Sequence, residues 1–315
     1  MSHSLRKRIT KSDATLAMSL IVAVCIWMAG AWTLPLLWGC LALALLTAYC
    51  VLEMNNRCHL MRERSRMMSS IFLLIIASFG MLHTDGRALT VALTISILNY
   101  RLLVSYQQKN AVWPAATAFM MLGISICLFP PLILLTPFIW FGCHHHIQIL
   151  TRQVWRASLL GLITPFIYAL LYMLWKGIAP LDYILSSVST SSPLFCGFSA
   201  YPLPPLPILV SSGALILLAL WSIAHFGRTS NKDNTRTRLS LEMLTMEFYF
   251  LFLLAALFPQ DIQVLMAAIL VVAAPLIGHY VTLADGRLHD FAFWLWTLVF
   301  IALGVLNKCN LWNIL

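Results

Sequence analysis

Charge is what this chain has least of: 10% of its 315 residues are Asp, Glu, Lys or Arg, against 61% hydrophobic. An ordinary soluble domain carries about 25% charged and roughly 45 to 50% apolar residues. With 11 acidic and 20 basic side chains and a mean hydropathy of +0.86, the chain cannot coat a soluble globular surface of its size. Signatures of catalysis are missing as well. There is no phosphate-cradling Gly-rich loop, no His-Glu-x-x-His and no Gly-x-Ser-x-Gly. The eight cysteines, at 25, 40, 50, 58, 127, 143, 196 and 309, contain no Cys-x-x-Cys and lie mostly in apolar runs, where they read as small buried side chains. Only Cys196 and Cys309 fall on the expected outer side. Gly-x-x-x-Gly is absent, which removes that route to close helix pairing.

What the chain has instead is long apolar runs. A span takes about 20 mostly apolar residues, and on that measure residues 14–32, 36–52, 68–83, 88–106 and 111–129 read as the first five. Pro130-Pro131 then breaks the helix. The piece from Leu132 to Cys143 spans only if it continues through His144 to about Leu150, and otherwise re-enters or tilts. Further spans fall near 158–175, 207–226, 240–258, 262–283 and 291–306. The expectation is an all-α fold, a polytopic transmembrane bundle of about eleven spans (ten to twelve), forming a single membrane domain over 1–315.

Positive charge orients such a chain. With residues 1–13 in the cytoplasm, 17 Lys and Arg fall inside, concentrated in basic loops at 53–67 and 227–239, and three fall outside: Arg87, Lys176 and Lys308. That asymmetry predicts a multi-pass protein of the cell inner membrane with a cytoplasmic N-terminus. The same clustering between apolar runs places the net charge of +9 at a membrane surface rather than in a nucleic-acid groove. The N-terminus resembles a signal peptide around Ala29-Gly30-Ala31, but its apolar stretch is longer than a usual signal core, so an uncleaved first span is expected. The one sizeable outer segment, 176–206, is rich in Ser and Pro. It is either an irregular connector or a site of outer contacts.

Charges inside hydrocarbon cost about 2.5 to 3.5 kcal/mol each on insertion scales, so each is a functional candidate. Glu247 lies deep in its span. Arg101, beside Asn99 and Tyr100, and His279 fall in the same half, so Glu247 is expected to pair with one of them across a helix interface. The pair would be either structural glue or part of a proton or substrate pathway. The outer acidic candidates are Asp85 and Asp182, with Asp261 also isolated. His144-His145-His146 cannot converge on one ion from a helix, because neighbours point about 100° apart, and an interfacial cluster near anionic lipid is the reading preferred. Metal and cofactor are expected to be absent.

Two further patterns stand out. Leu134-Leu135-Thr136-Pro137-Phe138-Ile139-Trp140 is echoed by Leu162-Ile163-Thr164-Pro165-Phe166-Ile167-Tyr168. Broken helices repeated in two places would point to a transporter. Asp85-Gly86-Arg87 recurs as Asp285-Gly286-Arg287, on opposite sides in this topology. The run from Phe129 to Trp140, together with Trp155-Arg156 and Gly161 to Phe166, resembles a family of uncharacterised polytopic inner-membrane proteins of Bacteroidota-type bacteria. The resemblance covers about a third of the chain, centred on residues 100–175. It implies a many-helix inner-membrane protein and carries no catalytic residue.

Three functions follow as expectations. The first is a non-enzymatic component working with lipid and other membrane proteins. The second is an enzyme acting on polyprenyl-linked sugars, against which counts the lack of an acidic residue at Thr33 to Pro35. The third is a small-molecule or proton-coupled transporter, for which speak Glu247, Arg101 and interruptions at Pro130, Pro137, Pro165 and Pro275.

Overall fold

The computed structural model describes residues 5–12, 14–29, 34–62, 65–108, 110–177 and 204–309. Numbered in chain order, its helices are α1 (Leu5–Lys11), α2 (Ala14–Met28), α3 (Pro35–Cys58), α4 (Met67–Ser78), α5 (Gly86–Val104) and α6 (Val112–Leu128). There follow α7 (Leu135–His145), α8 (Arg152–Lys176), α9 (Leu206–Thr229), α10 (Thr235–Leu257), α11 (Ile262–Leu283) and α12 (Arg287–Lys308). No strand occurs among the described residues. Seven helices, α3, α5 and α8 to α12, are long and apolar enough to cross a bilayer, while α2, α4 and α6 are shorter apolar helices. Length thus carries a helical membrane bundle rather than the full set of about eleven crossings.

Local chemistry sets the helix ends. Pro35 opens α3, where its missing N–H costs nothing. The Asp85 side chain accepts from the Ala88 N–H at the start of α5, and Thr151 does the same for Val154 in α8. Gly177, at φ 69°, ends α8 in a left-handed turn. The break at Pro130-Pro131 forms a 3-10 turn, Pro130–Leu134, leading into α7. The other three prolines interrupt nothing. Pro137 sits in the first turn of α7, where no intrahelical donor is lost, and Pro165 and Pro275 lie inside continuous helices. The two halves of the sequence echo are accordingly unlike: one straddles the 3-10 turn and α7, the other lies in mid-α8. Helix α3 runs on to Cys58 and α10 begins at Thr235, within the ranges 53–67 and 227–239, and residues 5–11 of the expected N-terminal tail are helical. Most of the 176–206 loop, including Asp182 and Cys196, lies outside the described residues.

The core is organised round α11. Every residue from Val264 to Thr282 is buried, with α4, α5, α9 and α10 packed about it. Ala267, Ala268, Ala273, Ala274 and Gly278 narrow this helix so that neighbours approach closely. A Cβ added at Gly278 would stand 2.7 Å from Met68 Cγ. Helices α6 and α8 form the most extensive single pair without Gly-x-x-x-Gly. Gly161 of α8 meets the Ala116 carbonyl of α6, where a Cβ would be 2.1 Å away, and Gly123 of α6 meets the Leu162 carbonyl at 2.6 Å.

Contacts distant in sequence define two ends. One gathers α1, residues 59–62, 65–66, 105–108 and 230–234, and the α11–α12 turn, through contacts such as Arg62–Asp233, Thr237–His59 and Gln107–Ile147. The other gathers the end of α2, the start of α5 and the end of α12, through Trp27–His83, Arg87–Asp261 and Lys308 to the Trp27 carbonyl.

Candidate functional site

A helix C-terminus leaves carbonyls without intrahelical partners, and at the end of α11 an arginine from the start of the chain takes them. Arg6 Nη1 donates to the Val281 carbonyl at 3.1 Å and Nη2 donates to that of Ala284, while Nε lies 2.7 Å from Asp290 Oδ1. The Arg6 side chain is 2% exposed, so the cation faces two carbonyls and one carboxylate rather than water, with its Nε close to Asp290 but outside hydrogen-bond geometry. Lys7 reaches Asp285 Oδ1 at 2.7 Å beside Gly286, whose φ of 122° is a conformation that glycine adopts at little cost.

The same end holds a second set of ionisable groups. His279 Nε2 lies 3.2 Å from Asp233 Oδ2, and Arg62 binds the other oxygen. Both His279 and the Asp233 carboxylate are enclosed. Burial alone would push the Asp233 carboxyl up, but hydrogen bonds from His279 and Arg62 outweigh it and hold the carboxyl below its ordinary value. The Lys7 hydrogen bond holds Asp285 low in the same way. Tyr280 OH lies 2.9 Å from His289 Nδ1, and the His225 ring stands 5.2 Å from Tyr280 and 5.7 Å from His289. The cluster thus joins α1, α9, α11, α12 and two turns. It is chemically able to clamp those elements and to exchange protons at its rim.

The sequence-predicted residues fall differently. Glu247 is 1% exposed in α10, but it pairs with neither Arg101 nor His279. Arg101 is exposed on α5, and His279 has Asp233 as its acidic partner. The residue beside Glu247 is Asn99 of α5. The Asn99 amide and both carboxylate oxygens are buried without a hydrogen bond of good geometry, as are the hydroxyls of Ser96 on α5 and Ser240 on α10. Asp85 is used as a helix cap, and Asp261 pairs with Arg87. In the histidine run His146 alone has an acidic neighbour, Glu242 at 3.7 Å. Burial lowers its proton affinity, against the pull of Glu242. No group of three or more His, Cys, Asp or Glu suited to a metal occurs among the described residues.

Asp233, Arg6, Arg62 and His289 escaped the sequence reading. One signal was present: Asp233 is the lone acid in a loop otherwise holding Arg228, Lys232, Arg236 and Arg238. Among the described residues, two cavities bear on the candidates. One is an apolar groove of about 420 Å³ beside α2, α4 and α12; the other, of about 280 Å³, lies at the opposite end near Gly80, Ser211 and Asn307. Neither reaches Glu247 or Asp85. No protein-family model matches the chain, and no curated protein or solved structure matches it at a significant level.

Proposed function

We propose that the chain is a multi-pass protein of the inner membrane, with its α1 end in the cytoplasm, that serves as a non-enzymatic component assembled with other membrane proteins. The observation that carries this reading is the outward face of α8, where Leu160, Tyr168, Leu171 and Trp175 are exposed, and the candidate Asp85 is occupied as a cap. That helix buries four of its 25 residues, Val154, Ala157, Ser158 and Gly161. We take α2, α4, α6 and the 3-10 turn with α7 as crossings too, giving eleven, because successive elements alternate between the two ends of the bundle. The basic residues collected at the α1 end support the orientation, and the resemblance over residues 100–175 implies a many-helix inner-membrane protein.

Photo-crosslinking amino acids at Leu160, Tyr168 and Leu171 test the assembly. Adducts with a defined membrane protein are expected in native membranes; adducts with lipid alone overturn the reading. Cysteines placed at Lys232 and Met81 test orientation, with only the latter expected to label from outside.

A transport function is favoured by one observation, the unmet hydrogen-bonding groups of Glu247 and Asn99 within the bundle. Glu247→Gln separates the two. A folded variant that loses proton-coupled flux in vesicles supports a pathway, and loss of the folded protein supports a structural role.

A further inference from the structure

Glu247 falls at the middle of α10, Thr235–Leu257, the depth at which a charge is hardest to keep. A buried carboxylate is ordinarily paired, neutralised by a proton or bound to a metal ion. Among the described residues Glu247 has no ion pair, and neither of its oxygens has a hydrogen-bond partner. Its neighbour is Asn99 of α5, whose amide oxygen and nitrogen are unpaired as well. Ser96 stands three residues before Asn99, on the same face of that helix. All three residues are 1% exposed.

Ser96 departs from the other buried helical serines. Ser78, Ser125, Ser158 and Ser222 each donate to a backbone carbonyl one turn back, at 2.6 to 3.2 Å. The Ser96 hydroxyl makes no such bond and has no partner at all. Native interiors satisfy nearly all their polar atoms, so a carboxylate, an amide and a hydroxyl left open together call for a ligand between them.

The three side chains offer only oxygen as ligand atoms: two from the carboxylate, one from the amide and one from the hydroxyl. Oxygen donors suit hard cations rather than soft metals. Charge then selects among them. One carboxylate balances one positive charge, whereas a divalent ion would leave a net charge in the hydrocarbon interior. Such a site needs none of the clustered His, Cys, Asp or Glu that a transition metal takes, and no group of three or more occurs among the described residues. We infer that Glu247, Asn99 and Ser96 hold a monovalent metal ion, sodium or potassium, inside the bundle. Helices α5 and α10 both pack on α11, so the ion ties together two elements that flank the central helix. Ser240, two turns from Glu247 and about 10 Å along α10, is too far to be a ligand. The ion site goes beyond the two readings above and rests on neither.

The test uses the full chain in detergent, in sodium, potassium or choline chloride at equal ionic strength. The midpoint of thermal unfolding is expected to rise with the concentration of sodium or potassium and not with choline, because an ion bound only to the folded state stabilises it by mass action. Glu247→Gln is expected to abolish that dependence, and Asn99→Ala to raise the half-saturating ion concentration about tenfold, the worth of one ligand to a charge. A midpoint indifferent to all three salts overturns the site and leaves Glu247 to a proton or to water. A metal dependence that survives Glu247→Gln puts the ion elsewhere and overturns it equally. If Glu247→Gln fails to fold, the wild type decides on its own. A hydrophobic carbodiimide, which modifies carboxyl groups within the membrane, is expected to label the Glu247 peptide in choline chloride, and sodium or potassium to slow that labelling about tenfold near saturation. Equal rates in the three salts, including none at all, overturn the site.

Discussion

Helices α8 and α11 are similar in length and in apolar character, yet one buries four of its 25 residues and the other is enclosed from Val264 to Thr282. The difference lies in side-chain size. Helix α11 carries Ala267, Ala268, Ala273, Ala274 and Gly278 among its branched residues, and neighbours close on it from all sides. Helix α8 buries small residues at Ala157, Ser158 and Gly161 and exposes Leu160, Tyr168, Leu171 and Trp175. In a membrane protein, hydropathy reports that a helix is in lipid, and the distribution of small residues reports whether it is at the centre.

The contrast is sharpest on truncation. Leu270→Ala in α11 is expected to cost about 2 to 5 kcal/mol through lost contacts and the cavity left behind, read as reduced thermal stability in detergent. Gly161→Ala tests the buried residues of α8. Its new methyl group would press on the Ala116 carbonyl rather than on a flexible side chain, at a cost of about 3 kcal/mol, and disulfide trapping between α6 and α8 should become less efficient.

The central helix is also held by its polar end, and Asp233→Asn probes that tie. Leaving Arg62 and His279 without their carboxylate is expected to cost about 2 kcal/mol at neutral pH. The sign with pH follows from the depressed Asp233 carboxyl. Its contribution is present above its ordinary value of 3.8 and is lost as pH falls through the lower folded value. Acid unfolding curves of wild type and Asp233→Asn should therefore converge at low pH, and a constant gap would refute the assignment. At the small end, Leu171→Ala on the outward face of α8 is expected to change stability by less than about 0.5 kcal/mol. A large loss there would mean that α8 is covered in the isolated protein.

Much of the helical plan was readable from apolar runs and breakers: the expected 262–283 span coincides with α11, and Pro130-Pro131 marks a true break. The N-terminal helix was not readable, because Arg6-Lys7-Arg8 looks like a solvated tail until the carbonyls of α11 are brought to it. The site was the least accessible part. Depth alone singled out Glu247 and His279, but their neighbours are set by packing between helices far apart in the chain. His279 and Asp233 are 46 positions apart, and Arg62 and Asp233 are 171 apart. No spacing rule along one helix connects them.

Arg6 is made long before the carbonyls that accept from it. The Val281 carbonyl lies 275 positions downstream, a delay of roughly 14 to 55 s at synthesis rates of about 5 to 20 residues per second. Throughout that interval the guanidinium must stay with water or lipid phosphate, and the bundle cannot be sealed at this end until α11 has been made. Nascent chains truncated before α11 should accordingly keep their first residues open to proteases that the finished protein resists.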